Sequence, residues 1–240
     1  MFDHVTIRAS DREASERFYE IVLRTLGIDK DHSDDLAEWN DFSISPATGD
    51  HPPTRGLHIG FVAPSREHVD EFWRTGTAAG YESDGEPGPR TIYSPDYYGS
   101  FLLDPDGNSV EAVHHGRLRT GGWIDHLWIR VGDLAASKPF YETVGLFAGF
   151  ALRRDLSERA GFSGGNGSFS VLAGTPTENL HMAFPAEDNA TVDAFHRASV
   201  GAGYRDNGAP GERPIYHRGY YAAYVLDPDD NNIEVVNHNR

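Results

Sequence analysis

Ile215 to His238 reads IYHRGYYAAYVLDPDDNNIEVVNH. The stretch predicts a loop carrying His217, a strand with Tyr224 to Leu226, a tight turn at Asp227-Pro228-Asp229-Asp230, and a last strand through Glu234. Proline after Asp227 presets the turn, and Asn231-Asn232 tolerate the positive φ that such a turn often needs. On the last strand Ile233 and Val235 share one face, while Asn232, Glu234 and Val236 share the other. A carboxylate inside an apolar strand is costly to bury without a cationic partner. Glu234 is therefore the first residue to explain.

The same stretch occurs earlier as Ile92 to His115, IYSPDYYGSFLLDPDGNSVEAVHH, and the match extends upstream. Ala79-Gly80-Tyr81 pairs with Ala202-Gly203-Tyr204, and Leu57-His58-Ile59 with Leu180-His181-Met182. At the start, Asp3-His4-Val5-Thr6-Ile7-Arg8 pairs with Asp125-His126-Leu127-Trp128-Ile129-Arg130, and Phe18-Tyr19-Glu20 with Phe140-Tyr141-Glu142. A near-constant offset means two tandem copies of one domain, residues 1–118 and 123–240, with RLRTGG at Arg117 to Gly122 as the linker. Each copy is long enough to fold around its own core.

The chain has 240 residues, no cysteine and a formal net charge of −16 at pH 7. Thiolate metal sites and disulfides are excluded. The negative charge argues against nucleic acid and anionic membranes as partners. It suits a cationic ligand, and it equally serves plain solubility. The start, MFDHVTIRASDREAS, has no apolar signal segment, and no run reaches membrane-spanning length, so a cytoplasmic protein is expected.

Alternation predicts a strand over Phe2 to Arg8, and Ser10 with Glu13 forms a capping box for a helix bearing Phe18, Ile21, Val22 and Leu26. Gly27 ends that helix. Trp39 to Ser45 reads as one strand, and Pro46 to Gly56 as a loop. The pattern then restarts: strand Leu57 to Val62, helix Ser65 to Ala79 with Val69, Phe72 and Trp73 inward, and a hairpin on Asp104-Pro105-Asp106-Gly107. Each domain is thus two units of strand, helix, then further strands, an α+β fold. In the second copy Asp133 caps the first helix, Pro139 is expected to shorten or kink it, and the glycine-rich Ala160 to Ser168 reads as a loop.

Within each copy, three side chains of metal-ligand type recur at matching places. They are His126, His181 and Glu234 in the second copy, and His4, His58 and Glu111 in the first. All six lie in apolar alternating strands, opposite the residues that pack on helices. If the strands of a copy curl into one sheet, two imidazoles and one carboxylate converge. That set is a facial triad with open positions, suited to non-haem Fe(II). A single strand histidine is more often a hydrogen-bonded core residue. Two histidines with a buried glutamate, twice in register, reverse that reading, although duplication alone can preserve a pattern. Trp128 and Arg130 follow His126 on the same face and are expected to line the substrate site, with Arg130 suited to a carboxylate or phenolate.

With DHVTIR and DHLWIR each followed by FYE, LHIGF and LHMAF inside, and DPDGNSVE and DPDDNNIE at the close, both copies resemble the vicinal oxygen chelate superfamily. That group contains glyoxalase I, bleomycin and fosfomycin resistance proteins, and extradiol ring-cleavage dioxygenases. The resemblance covers nearly the whole chain. It implies paired βαβββ units forming a cup-shaped mixed sheet, helices outside, around one divalent metal per domain. Glyoxalase I carries a fourth ligand, a carboxylate, where this chain has Phe42-Ser43-Ile44 and Phe169-Ser170-Val171. The absence of an acid there favours the extradiol group.

The second copy also resembles the extradiol signature: His217, Tyr224, Asp227-Pro228 and Glu234. The resemblance implies that His217 hydrogen-bonds substrate or oxygen and that Tyr224 contacts a catecholate oxygen. The first copy has Ser94 and Phe101 at those places, and in two-domain ring-cleavage enzymes the C-terminal domain is the active one. Asp230 departs from the signature glycine. The family's acid/base histidine has no counterpart in Gly164 to Ala173, which leaves Tyr221 or water for proton transfer.

The expectation is a metal-dependent enzyme, an extradiol-type oxygenase holding Fe(II) (or Mn, Zn or Ni) and acting on a small catechol-like substrate. The same metal could serve an isomerase or lyase of glyoxalase type. The competing class is a metal-free, acidic drug-binding protein of bleomycin-resistance type, which has no need of two ligand sets. Pairing of domains across a homodimer stays open.

Overall fold

The computed structural model describes residues 1–33, 36–117, 119, 121–165 and 167–240. In the first half, β1 (His4–Ala9) leads into α1 (Arg12–Arg24) and then β2 (His32–Ser33), β3 (Ala37–Trp39) and β4 (Phe42–Pro46). A second unit follows: β5 (His58–Val62), α2 (Arg66–Ala78), β6 (Ser83–Pro89), β7 (Tyr98–Leu103) and β8 (Ser109–His114). The second half repeats this plan. β9 (Ile124–Val131), α3 (Leu134–Ala148), β10 (Ala151–Leu156), β11 (Arg159–Gly164) and β12 (Gly167–Ala173) come first. β13 (His181–Pro185), α4 (Asn189–Gly201), β14 (Arg205–Glu212), β15 (Tyr221–Leu226) and β16 (Asn232–Asn237) close the chain. The fold is α+β, with two tandem domains and two mixed sheets.

Hydrogen bonding orders the strands β14-β15-β16-β13-β1-β4-β3-β2 in one sheet and β10-β11-β12-β9-β5-β8-β7-β6 in the other. β5 therefore pairs with β9, Gly60 opposite His126, and not with β1 of its own copy. β1 instead neighbours β13, with the Asp3 amide donating to Ala183 O at 2.8 Å. Two compact units result: Thr6–Trp128, and Met1–Val5 with Ile129–Arg240. The opening residues of each copy thus group with the rest of the other copy.

In the unit Thr6–Trp128, Phe18, Tyr19, Val22 and Leu23 of α1 are buried, with the Tyr19 ring 4.7 Å from Phe42. In the other unit Phe140, Tyr141 and Val144 of α3 are buried, and the Tyr141 ring lies 5.1 Å from Phe169. Burying each such side chain contributes about 1.5–3 kcal/mol.

Several local expectations change. Asp11, not Ser10, caps α1 by accepting from the Ala14 amide. Asn40 turns the chain at φ +56°, which divides the expected strand Trp39 to Ser45 into β3 and β4. α3 continues through Pro139 to Gly149, whose left-handed φ of +70° ends it. Of the expected loop Ala160 to Ser168, residues 160–164 lie in β11 and 167–168 in β12, paired as a hairpin across which Phe162 stacks on Phe169, while Asn166 lies outside the described residues. Within the RLRTGG linker, Leu118 and Thr120 lie outside the described residues.

The signature turn is held by its aspartate. Asp227 Oδ1 accepts from the amides of Asp229 and Asn231, and its Oδ2 accepts the buried Tyr141 hydroxyl at 2.7 Å. Asn231 donates to Thr177 O and accepts from the Leu180 amide, one residue before His181. Asp104, Tyr19, Asn108, Thr54 and Leu57 repeat the arrangement in the first copy. Positive φ falls on Asp230 at +71°, not on Asn231 or Asn232, where the first copy has Gly107 at +83°. Aspartate tolerates this conformation better than most residues.

Candidate metal centre

Two groups of three donors converge, and neither is drawn from one copy of the repeat. One is His4, His181 and Glu234; the other is His58, Glu111 and His126. The grouping by copy, His126 with His181 and Glu234 and His4 with His58 and Glu111, is corrected here. The six residues are those expected, but the two opening histidines exchange partners because β1 lies beside β13 and β9 beside β5.

At the second group, His58 Nε2 lies 3.1 Å from Glu111 Oε2 and 3.2 Å from His126 Nε2, and His126 Nε2 is 3.2 Å from Glu111 Oε2. At the first, His181 Nε2 is 3.0 Å from Glu234 Oε2 and 3.1 Å from His4 Nε2, while His4 Nε2 is 3.7 Å from Glu234 Oε2. Ligands at about 2.1 Å subtending a right angle at a metal stand about 3.0 Å apart, so both triangles suit one face of a six-coordinate divalent ion.

The ring orientations are set from behind. His4 Nδ1 contacts Asp3 Oδ1 at 2.9 Å, and His126 Nδ1 contacts Asp125 Oδ1 at 2.9 Å. These carboxylates keep a proton on Nδ1 and turn the Nε2 lone pair toward the facing histidine. Ring nitrogens and a carboxylate oxygen converging at hydrogen-bond distance are held together by a proton or a metal ion between them. The donor set therefore fits a divalent cation. Each glutamate is held on its outer oxygen by a tyrosine: the Tyr220 hydroxyl donates to Glu234 Oε1 at 2.6 Å, and Tyr97 to Glu111 Oε1 at 2.8 Å.

Electrostatics follow this geometry. Burial opposes ionisation of Glu111, but hydrogen bonds and charge from His126 and His58 outweigh it and bring its pKa down to about 2. Burial likewise opposes protonation of His126, and Asp125 and Glu111 outweigh it, raising its pKa to about 9. For His58 burial wins, and its pKa falls. Glu234 is lowered in spite of burial, by His181 and His4. Burial first, then the charge of Glu234, raises the Tyr220 and Tyr224 phenols well above their ordinary value. Both stay protonated donors.

The other expected site residues divide. Tyr224 is the cross-strand partner of Glu234, and its ring centroid is 6.4 Å from that of His181. Tyr221 points to the opposite face and donates to Asp193 on α4 at 2.8 Å. His217 is half-buried and bonds His238 Nδ1 at 2.8 Å; His238 in turn holds Asp3 Oδ2 at 2.8 Å. It thus meets His4 only through His238 and Asp3. Trp128 packs on His58 and His126, the centre without Tyr224, and Tyr93 meets its face edge-on at 5.4 Å. Arg130 is exposed, with its stem beside Gly174.

Asp3, Asp125, Tyr97, Tyr220, His238 and His115, which bonds Asp125 at 3.0 Å, surround the two groups without a strong signal of their own in the sequence. The signal available was the repeat itself: Asp-His at the opening and Tyr-Tyr before the hairpin recur in both copies. Strand periodicity also separates Tyr221 from Tyr224, which are three residues apart and so face opposite ways.

Among the described residues, no helix is long and apolar enough to cross a membrane. No curated protein matches the chain. Glyoxalase I from Zea mays is similar over 99% of this chain and 92% of its own, with a TM-score of 0.71 and 18% identity. A protein described as a putative dioxygenase from Bacillus subtilis is similar over 100% of this chain and 85% of its own, with a TM-score of 0.68 and 13% identity. At these identities the likeness establishes the fold. The family model for the Glyoxalase/Bleomycin resistance protein/Dioxygenase superfamily matches residues 1–112 and again 123–235. The chain belongs to that superfamily, as a tandem member.

Proposed function

We propose that this chain is a divalent-metal-dependent enzyme acting on a small substrate with two neighbouring oxygens. In this reading His4, His181 and Glu234 hold the working ion, Fe(II), and the chemistry is of extradiol oxygenase type. The observation that carries it is Tyr224: a protonated phenol on the strand register of Glu234, beside a triad that uses one side of its ion. The first copy has Phe101 at that register, opposite Glu111.

When bound, the ion supplies Lewis acidity toward two adjacent substrate oxygens and, as Fe(II), a redox-active centre. Tyr224 donates a hydrogen bond to a substrate oxygen. The Arg213 guanidinium lies over the Tyr224 ring, 5.4 Å from its centroid, and supplies positive charge for an anionic substrate. Tyr220 holds the outer oxygen of Glu234, so that Oε2 alone serves the ion. Tyr221 has no part in proton transfer in this scheme, since Asp193 engages it on the helix side.

Isomerase or lyase chemistry of glyoxalase type would use the same three ligands without oxygen. The test is oxygen uptake after anaerobic loading with Fe(II), across a panel of catechols, in the native chain, His4→Ala and Tyr224→Phe. Uptake that needs His4 and falls at least tenfold in Tyr224→Phe supports the oxygenase. Retained metal with no uptake on any catechol overturns it.

A further inference from the structure

At the middle of each triad, one strand position differs between the two centres. Gly60 is registered with Glu111 on one side and His126 on the other, and stands two residues after His58. Its counterpart Ala183 is registered with Glu234, bonds the Asp3 amide through its carbonyl, and stands two residues after His181. A Cβ at Gly60 would lie 2.5 Å from His126 Cε1 and 2.8 Å from Nδ1, so the ring rests directly on the glycine. Ala183 has that methyl group, in the buried cluster with Tyr220 and Ala222.

A second position repeats the difference. A Cβ at Gly99 would run into Glu111 Oε1. Ala222, registered opposite Val236 as Gly99 is opposite Val113, carries a methyl there. The geometry follows. The triangle over Gly60 is regular, whereas the His4 to Glu234 edge over Ala183 opens to 3.7 Å. The side chain of His4 is 25% exposed and that of His126 only 8%.

We infer that Gly60 and Ala183 set the character of the two centres, making His58, Glu111 and His126 a tight, retentive metal site and His4, His181 and Glu234 an open, exchangeable one. This rests on the reading of both triads as metal sites. The methyl of Ala183 keeps the His4 ring from settling between its partners. One ligand is then held less well, and that centre has the room to admit a second molecule to its ion. A buried, regular triangle does the opposite: it holds its ion and gives little access.

The test is Co(II) titration, followed by absorbance and calorimetry, of Glu234→Ala, which leaves the tight centre, and Glu111→Ala, which leaves the open one. The tight centre is expected to bind at least tenfold more strongly and to release Co(II) more slowly to a chelator. Adding Gly60→Ala to Glu234→Ala should weaken binding about tenfold, the scale of effect for groups that orient ligands. Adding Ala183→Gly to Glu111→Ala should strengthen it by a similar factor. The glycine variant is the check if Gly60→Ala does not fold. Equal affinities at the two centres, with Ala183→Gly lacking effect, would overturn the inference and leave the metal sites standing. No Co(II) bound by the native chain would overturn the metal reading itself.

Discussion

The Tyr220 hydroxyl stands 2.6 Å from Glu234 Oε1, the carboxylate oxygen turned away from the histidines. That hydroxyl is a short, direct donor to a carboxylate that is almost fully buried. Tyr97 serves Glu111 in the same way, so the arrangement is a feature of the repeat.

Tyr220→Phe is therefore expected to cost about 1–3 kcal/mol of stability, the scale for a buried polar group left unsatisfied. It should also weaken metal binding about tenfold, since Glu234 becomes free to rotate. Chemical denaturation and metal titration read the two effects separately. A change in stability with unaltered metal affinity would reduce Tyr220 to a packing residue.

Exchange of the opening histidines makes a prediction that grouping by copy reverses. His4→Ala should remove the ion held with His181 and Glu234, and His126→Ala the one held with His58 and Glu111. Elemental analysis is expected to show two ions falling to one in either variant and to none in the double variant. On the proposed assignment, turnover disappears in His4→Ala and persists in His126→Ala. If one copy held one site, the metal counts would be the same and the turnover result the opposite.

The metal-free protein should lose stability at both the acid and the alkaline end of the pH range. His126 is raised from its ordinary 6.5 to about 9, so its contribution is complete below 6.5 and is lost as pH climbs through about 9. Glu111 is lowered from 4.5 to about 2, so its contribution is complete above 4.5 and is lost as pH falls toward 2. The Tm of chelated protein is expected to decline from pH 6.5 toward pH 9 and again as pH falls below 4.5. Metal loading removes the proton from His126 Nε2 and should flatten the alkaline limb. A chelated protein as stable at pH 9.5 as at pH 6.5 would contradict this.

Asn231 ties the signature turn to Leu180, and through it to His181. Asn231→Ala leaves the Leu180 amide and Thr177 O without their buried partner, at a cost of about 1–3 kcal/mol for each group. Its stability loss should come with weaker metal binding at the open centre and no change at the other. Thermal unfolding and Co(II) titration of Asn231→Ala in the Glu111→Ala background measure both.

Much of the molecule was legible in the residues. Alternation placed His4, His58, Glu111, His126, His181 and Glu234 on strands and on the face away from the helices, because a strand carries its pattern locally with period two. The repeated DPD turns marked the hairpins, since Asp227 and Asp104 satisfy the turn amides from within a few residues.

What the sequence could not express is which strand lies beside which. A strand with an apolar face and two unpaired edges is equally complete with either neighbour, so alternation names the face and is silent on the partner. Only the tertiary structure decided that β1 pairs with β13 and β9 with β5. That choice sends His4 to Glu234 and His126 to Glu111, brings Trp128 against His58, and puts Ala183 under one centre and Gly60 under the other. The six donors belong to the sequence; their division into two centres belongs to strand pairing over long range, where hydrogen bonds between distant segments select among locally equivalent edges.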